Sequence, residues 1–407
     1  MATKQVPVSQ LTVGMYIVSL DRPWTWNSTL GERHRIANRE DIDQIKAHGV
    51  RFVTIDPTLG KDVVASKQTP PPPAPPPIGA TLDSLAVELG KARAVRAEAM
   101  TNVQSIFEGV KTGAPISIES VKQTVHTLID SVLRHHDTLL CLSHLRQFDT
   151  DVFAHAIDVC VFSLVIGKHQ GFSSIQLKRL GCGALLHDVG KMRLPRNLLH
   201  KSEVYTEQER YLMQQHPRLG LAVLMHADGI HDDSLRIVVE HHERIDGSGY
   251  PAGLKGNRIH PLSEIVGIAD VYDAMLSSRY GRPPFLPAQA IKELYQAGLK
   301  GEFDPRWVER IVRCLGIYPV GSLVELNTGE RGIVTTVNPA DALRPAVKII
   351  WDATRQPYPT PHLVSLAAPT ASEPQRTIIC TLDPDQENVD MHHYLEEAIT
   401  SDGDGRT

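Results

Sequence analysis

Apolar positions change their period several times along the chain, and each change marks a different kind of element. Residues 6–20 and RFVTI at 51–55 carry short apolar stretches of the kind that form strands. Between them Asn38 is suited to cap a short helix running to His48, with Gly49 as its stop. These segments predict a small α/β domain over residues 1–65. From residue 80 the period becomes helical, with Leu82, Leu85, Leu89, Val103, Ile106 and Val110 on one face. Gly113 and Pro115 break the run, and a second helix follows over 118–145, completing a helical segment at 80–147. Residues 148–316 read as mostly helical with a glycine-rich loop at 246–256. The runs VGSLVEL, RGIVTTV and AVKIIW, separated by Asn, Gly and Pro, predict a small β-domain over 317–368. The polar stretch 369–407 reads as a flexible tail with one short helix near 391–399. The expected fold class is multidomain and mainly α, with a small N-terminal α/β domain and a small C-terminal β-domain.

Two segments bear on assembly. SKQTPPPPAPPPIG at 66–79 cannot pack as helix or sheet and predicts a semi-rigid polyproline II linker, a reading preferred to a docking site for a proline-reading domain. The helices of 80–147 pack either on the next domain or on a second copy, so a homodimer is one expectation.

Composition narrows the function classes. The chain has 407 residues, enough for two or three domains, and a 42% hydrophobic share that supports a core. A net charge of −5 argues against a DNA binder. The five cysteines are scattered in no metal-type spacing and predict reduced thiols in a cytoplasmic protein. The N-terminus has no apolar core of a signal peptide, and no run reaches the roughly 20 apolar residues of a membrane span. The 19 histidines, many beside aspartates in the middle of the chain, point to metal chemistry.

Within GALLHDVGK at 183–191, His187 and Asp188 end an apolar helical stretch. Imidazole with carboxylate suits Fe, Mn or Zn. Lys191 is spaced to share their helical face and to neutralise a phosphate. In VVEHHERIDGSGYP at 238–251, His241 and His242 precede the glycine-rich loop, which suits either a metal centre with an open side or a solvated helix end. Asp270 interrupts the apolar run of IVGIADVYDAMLSSR at 265–279, and a buried carboxylate needs a charge partner or a metal. Asp273, one turn on, can support a ligand from behind, and Arg279 can grip a phosphate. His155 lies in the apolar FAHAIDVCVFSLVIG, and His216 precedes Pro217. Each signal alone is weak. Together they supply enough donors for two metals able to activate a water and stabilise an in-line displacement at phosphorus.

These motifs occur in order over residues 148–316 and closely resemble the HD-GYP domain of the HD phosphohydrolases. HDVGK at 187–191 resembles its first signature. HHERIDGSGYPAGLKG at 241–256 resembles the motif that names the group, with Gly249, Tyr250 and Pro251 as the GYP. ADVYDAMLSSR at 269–279 and FDP at 303–305 resemble further signatures. The segment at 6–24 is similar to an uncharacterised domain that often precedes HD-GYP domains.

The resemblance implies an all-helical HD-type domain and a phosphodiesterase that hydrolyses cyclic di-GMP to pGpG and, in many members, onward to GMP. It implies two iron or manganese ions held by His155, His187, Asp188, His216, His241, His242 and Asp270, with Asp188 bridging. Asp188 and Lys191 become the catalytic pair, and Lys191, Tyr250, Arg279 and Arg282 the substrate contacts. Control of motility and biofilm formation is the process that such enzymes imply. Some members hold a third metal through a Glu where this chain has Asp151. The chain also departs from the family at Arg279, Tyr280, Gly281 and Arg282, where R-P-Y-R is usual, and at Glu264, where arginine is usual. Two competing readings are an HD phosphohydrolase for another nucleotide, disfavoured by the intact GYP loop, and a non-hydrolysing cyclic di-GMP sensor, disfavoured by the complete donor set.

Overall fold

The computed structural model describes residues 3–8, 11–20, 34–37, 42, 45, 52–61, 79–144, 151–199, 201, 203–277, 283–338, 340–367 and 375–396. The chain divides into two compact units, Met1–Pro76 and Pro77–Thr407. The proline run at 66–78, Asn38 and Gly49, and both Arg279 and Arg282 lie outside the described residues.

In the first unit, β1 (Lys4–Pro7), β2 (Tyr16–Leu20), β3 (His34–Arg35) and β4 (Phe52–Ile55) form an antiparallel sheet in the order β1-β4-β2-β3. Alternation along the strands turns Val6, Ile17, Val53 and Ile55 inward, and Ile42 and Ile45 join the same cluster.

The second unit is mainly helical. Two long helices, α1 (Gly79–Thr112) and α2 (Ile118–His144), are joined through Gly113, whose φ of +87° ends α1 as glycine allows. Leu89, Ala92, Ala99, Val103, Phe107 and Val110 form the buried stripe of α1. α2 kinks at His135 (φ −144°, ψ 72°). Next come α3 (Val152–His169) and α4 (Ser174–Leu186), the latter opened by a reciprocal Ser173–Gln176 capping box. A 3-10 turn (Val189–Arg193) follows, then α5 (Arg196–Leu199), α6 (Glu207–Met213), α7 (His216–Leu224), α8 (Asp232–Glu240), α9 (Pro261–Leu276), α10 (Pro287–Leu299) and α11 (Pro305–Leu315). α3 is long and apolar enough by composition to cross a membrane, but 78% of it is buried, and it is the central core helix of this unit.

Strands β5 (Leu323–Leu326), β6 (Arg331–Thr336), β7 (Ala346–Trp351), β8 (Pro357–Ser365) and β9 (Ile378–Leu382) form an antiparallel sheet in the order β8-β7-β6-β5-β9. This corrects the reading of 369–407 as a flexible tail. β9 pairs with β5 over Leu323 to Leu326, and α12 (Met391–Glu396) packs Met391 and Leu395 into the core. The buried Lys348 ammonium hydrogen-bonds Tyr394 O, and Trp351 Nε1 donates to Tyr394 Oη at 3.1 Å. Polar composition hid these contacts, because a sheet edge can recruit a half-exposed strand through backbone hydrogen bonds alone.

Candidate metal centre

Helix ends bring the donors together. His187 is the C-terminal cap of α4, and Asp188 opens the 3-10 turn after it. His216 begins α7, and His241 caps α8 with His242 next to it. His155 lies in the first turn of α3, and Asp270 in the middle of α9. Two glycines permit the approach. A Cβ on Gly190 would stand 1.9 Å from His216 O, so the 3-10 turn touches α7 only because that position has no side chain. A Cβ on Gly267 would stand 2.4 Å from His241 O, which lets α9 carry Asp270 up to the end of α8.

The donors form two groups that share Asp188: His155, His187 and Asp188; and Asp188, His216, His241 and His242. Asp188 Oδ2 lies 3.4 Å from His187 Nε2 and 3.5 Å from His155 Nε2. Its Oδ1 lies 3.2 Å from His216 Nε2 and 3.9 Å from His241 Nε2. One carboxylate therefore turns an oxygen to each group. Asp270 does the same from the other side, with Oδ1 3.1 Å from His155 Nε2 and Oδ2 3.6 Å from His242 Nδ1. His187, Asp188 and His241 are fully buried, while the His242 side chain keeps 16% exposure and marks the open side.

The tautomers follow from the hydrogen bonds. A carbonyl only accepts, so Nδ1–H of His187 donates to Ala184 O (2.7 Å), that of His216 to Met213 O (2.7 Å) and that of His241 to Val238 O (3.0 Å). His155 Nδ1 donates to the Asp273 carboxylate at 2.6 Å. In the neutral rings all four Nε2 atoms then carry lone pairs aimed inward. The Nε2 atoms of His155 and His187 and Asp188 Oδ1 have no hydrogen-bond partner although buried, and those of His216 and His241 face each other at 3.2 Å. Converging unshared lone pairs are costly unless a cation sits among them. These residues fit two divalent ions, with the imidazoles of His155, His187, His216 and His241 each oriented by a bond at the far nitrogen.

Protonation states agree. Burial works to raise the Asp188 pKa, but Lys191 and His187 beside it hold it well below the usual carboxylate range. Burial, helped by neighbouring imidazoles, keeps His241 and His242 well below their ordinary value and therefore neutral. Burial opposes charge on His155 too, yet Asp270 and Asp273 on either side push it up to about 9. An ion bound there would take the place of that proton.

Other expected residues fall nearby. The Lys191 ammonium pairs with Asp188 Oδ2. Its segment is 3-10 rather than α, so Lys191 stacks over Asp188 three residues earlier instead of sharing a helical face with both His187 and Asp188. Tyr250 stacks on His242, centroids 4.6 Å apart. Asp151 caps α3 by accepting from Phe153 N at 3.0 Å and is in neither donor group. Glu264 accepts the backbone N–H of Asp304 at 2.6 Å, which ties FDP to α9. Sequence reasoning passed over Glu243. It is buried and accepts from Ala252 N (2.7 Å) and Leu254 N (2.8 Å), holding the GYP loop. A glutamate directly after two paired histidines was the available signal.

Residues 134–307 match the HD domain family, residues 3–121 a domain of unknown function (DUF3391), and residues 323–371 a KOW domain associated with HD domain. The DUF3391 match takes in α1 as well as β1 to β4. Over 369 residues the chain is 31% identical to the cyclic di-GMP phosphodiesterase PA4108 of Pseudomonas aeruginosa, covering 89% of this chain and 88% of that protein. The chain belongs to the HD domain phosphodiesterases of the HD-GYP type. This HD-GYP phosphodiesterase is also 34% identical over 207 residues to the cyclic di-GMP phosphodiesterase response regulator RpfG of Xanthomonas campestris, covering 48% of this chain and 54% of that one. Among solved structures, Bd1817, an HDG"Y"P protein from Bdellovibrio bacteriovorus, aligns with 76% of this chain and 98% of its own at 17% identity and a TM-score of 0.47.

Proposed function

We propose that this phosphodiesterase hydrolyses cyclic di-GMP to pGpG and then GMP, using iron or manganese held by the two donor groups. The observation that carries the reading is Asp188, whose two oxygens serve different groups of buried histidines. The near full-length likeness to a cyclic di-GMP phosphodiesterase supports the substrate.

Two divalent ions, when bound there, supply Lewis acidity toward the phosphoryl oxygens and a water acidic enough to act as nucleophile near neutral pH. The chain's own residues do the rest. His155, His187, His216 and His241 offer Nε2, and their far-side hydrogen bonds keep those atoms turned into the two donor groups. Lys191, now paired with Asp188, can turn its cation to a phosphate oxygen. Tyr250, held against His242 and backed by the Glu243-bound loop, forms the wall at the open side. Arg279 and Arg282 take the second phosphate or a guanine. Water adds to phosphorus, the P–O3′ bond breaks, and the 3′ oxygen leaves with a proton, giving a 5′-phosphate and a 3′-hydroxyl. The five unpaired thiols suit a reducing compartment, and we assign the reaction to the cytoplasm.

The test is the double variant His187→Ala/Asp188→Ala, assayed on cyclic di-GMP by chromatography after anaerobic loading with Fe2+ or Mn2+. Loss of pGpG and GMP formation is expected; turnover equal to wild type refutes the reading. Faster turnover of cyclic GMP-AMP or dGTP by the wild type moves the substrate assignment but leaves the centre in place.

A further inference from the structure

We infer that Arg244 is a positioning residue that fixes His241 and His242, seated for that task by Phe303 of the FDP motif. The inference rests on reading those two histidines as metal ligands.

The last carbonyls of a helix need partners beyond the helix. At the end of α8, Arg244 Nη1 donates to Glu243 O at 2.9 Å and to His241 O at 3.3 Å. The same guanidinium lies over the Phe303 ring, 4.6 Å from its centroid. Phe303 is itself buried, and its neighbours are pinned: Glu302 O accepts from Ile245 N at 3.1 Å, and Asp304 N donates to Glu264. A Cβ added to Gly267 would lie 3.7 Å from Arg244 Nη1, so the cation also rests against α9 one turn before Asp270. The GYP loop meets the backbone of the same segment, since a Cβ on Gly249 would stand 2.4 Å from Arg244 N and from His242 O.

One planar cation thus joins the carbonyls of His241 and Glu243, which flank His242, to the aspartate-bearing helix and the FDP turn. Both carbonyls are held by the one nitrogen Nη1, which a lysine ammonium could replace, but lysine lacks the flat guanidinium face that lies on Phe303. Arg244 is occupied by backbone carbonyls and an aromatic face, unlike Lys191, which faces a donor carboxylate. It acts on the reaction through His241 and His242. This also gives the FDP motif a role: Phe303 is the platform.

The prediction is selective between the two ions. His241 and His242 belong to the group with His216, and His155 and His187 to the other. Full-length apo protein is titrated with Mn2+, followed by calorimetry and by the electron paramagnetic resonance of bound manganese. In Arg244→Met one ion should lose on the order of tenfold or more in affinity while the other keeps its wild-type value, and the spectrum of the weakened ion should broaden. Arg244→Lys, which keeps charge and most of the volume and guards against failure of the first variant to fold, should lose affinity at the same ion to a smaller degree. Wild-type affinity at both ions in Arg244→Lys, or equal weakening of both, overturns the inference. Failure of the wild type to bind two Mn2+ overturns the metal-centre reading and the inference with it.

Discussion

Asp273 shows how much a single side chain off the donor list can matter. Its carboxylate receives Nδ1–H of His155 at 2.6 Å and so selects the tautomer that leaves Nε2 bare. Asp273→Asn keeps the volume but removes the charge behind the imidazole. Metal affinity should fall on the order of 10- to 100-fold, read by competition with a chelator; unchanged affinity would mean that packing alone orients His155. Gly190 sets a purely steric demand. In Gly190→Ala the new methyl meets His216 O and Gly220 N, both backbone and unable to swing aside. Overpacking of this kind costs about 1–3 kcal/mol, and the shift it forces should also lower metal occupancy. Denaturant melts and metal analysis of one preparation check both effects.

At the scale of elements, α1 is bound to the central helix α3 through charge. Arg96 on α1 forms a bidentate pair with Asp158, its Nη2 2.9 Å from Oδ2, and Ser143 Oγ donates to Asp158 Oδ1 at 2.6 Å. Asp158 is fully buried and lies one turn after His155. Removing the cation leaves a carboxylate in the core, which typically costs about 3–5 kcal/mol. Arg96→Ala should therefore shift the denaturation midpoint strongly, whereas Arg96→Lys should recover part of the loss. Equal midpoints for Arg96→Ala and wild type would show that α1 is held by its apolar stripe alone.

At the scale of the whole second unit, His144 ties the C-terminal sheet to α9, the helix that carries Asp270. Its Nδ1–H donates to Val320 O at 2.7 Å, just before β5, and Tyr272 Oη donates to its Nε2 at 3.0 Å. Burial is the main cause that lowers its pKa to about 4, against 6.5 for a free histidine. The unfolded chain therefore takes up a proton between these values that the folded chain refuses. This group's stability is complete above pH 6.5 and is lost as pH falls toward 4, by up to about 3 kcal/mol. Asp137, raised to about 6 by burial, contributes in the opposite direction over much of the same range, and His136, lowered to about 4 mainly by burial, in the same direction, so wild-type melts alone do not isolate the effect. The difference in melting temperature between wild type and His144→Gln should shrink as pH drops from 7 to 5. A constant difference would remove His144 from the account.

The motifs around His187, His241 and Asp270 were legible because each is local: an apolar run that ends in paired donors, or a carboxylate stranded among aliphatics. The helical body and three of the five C-terminal strands were legible for the same reason, since periodicity reports the face that an element buries. The other two strands, β8 and β9, were not, and β9 owes its place to backbone pairing with β5 rather than to its own pattern. Nor could local pattern tell which oxygen of Asp188 faces which histidines, that Lys191 stacks on Asp188 in a 3-10 turn, or that Arg244 lies on Phe303. Apart from the 3-10 turn itself, those are relations between segments far apart in the chain. The kinds of donors and the helices that carry them were written in the order of residues, whereas the meeting of lone pairs in two donor groups depends on close backbone approach at Gly190 and Gly267, which only the packed interior determines.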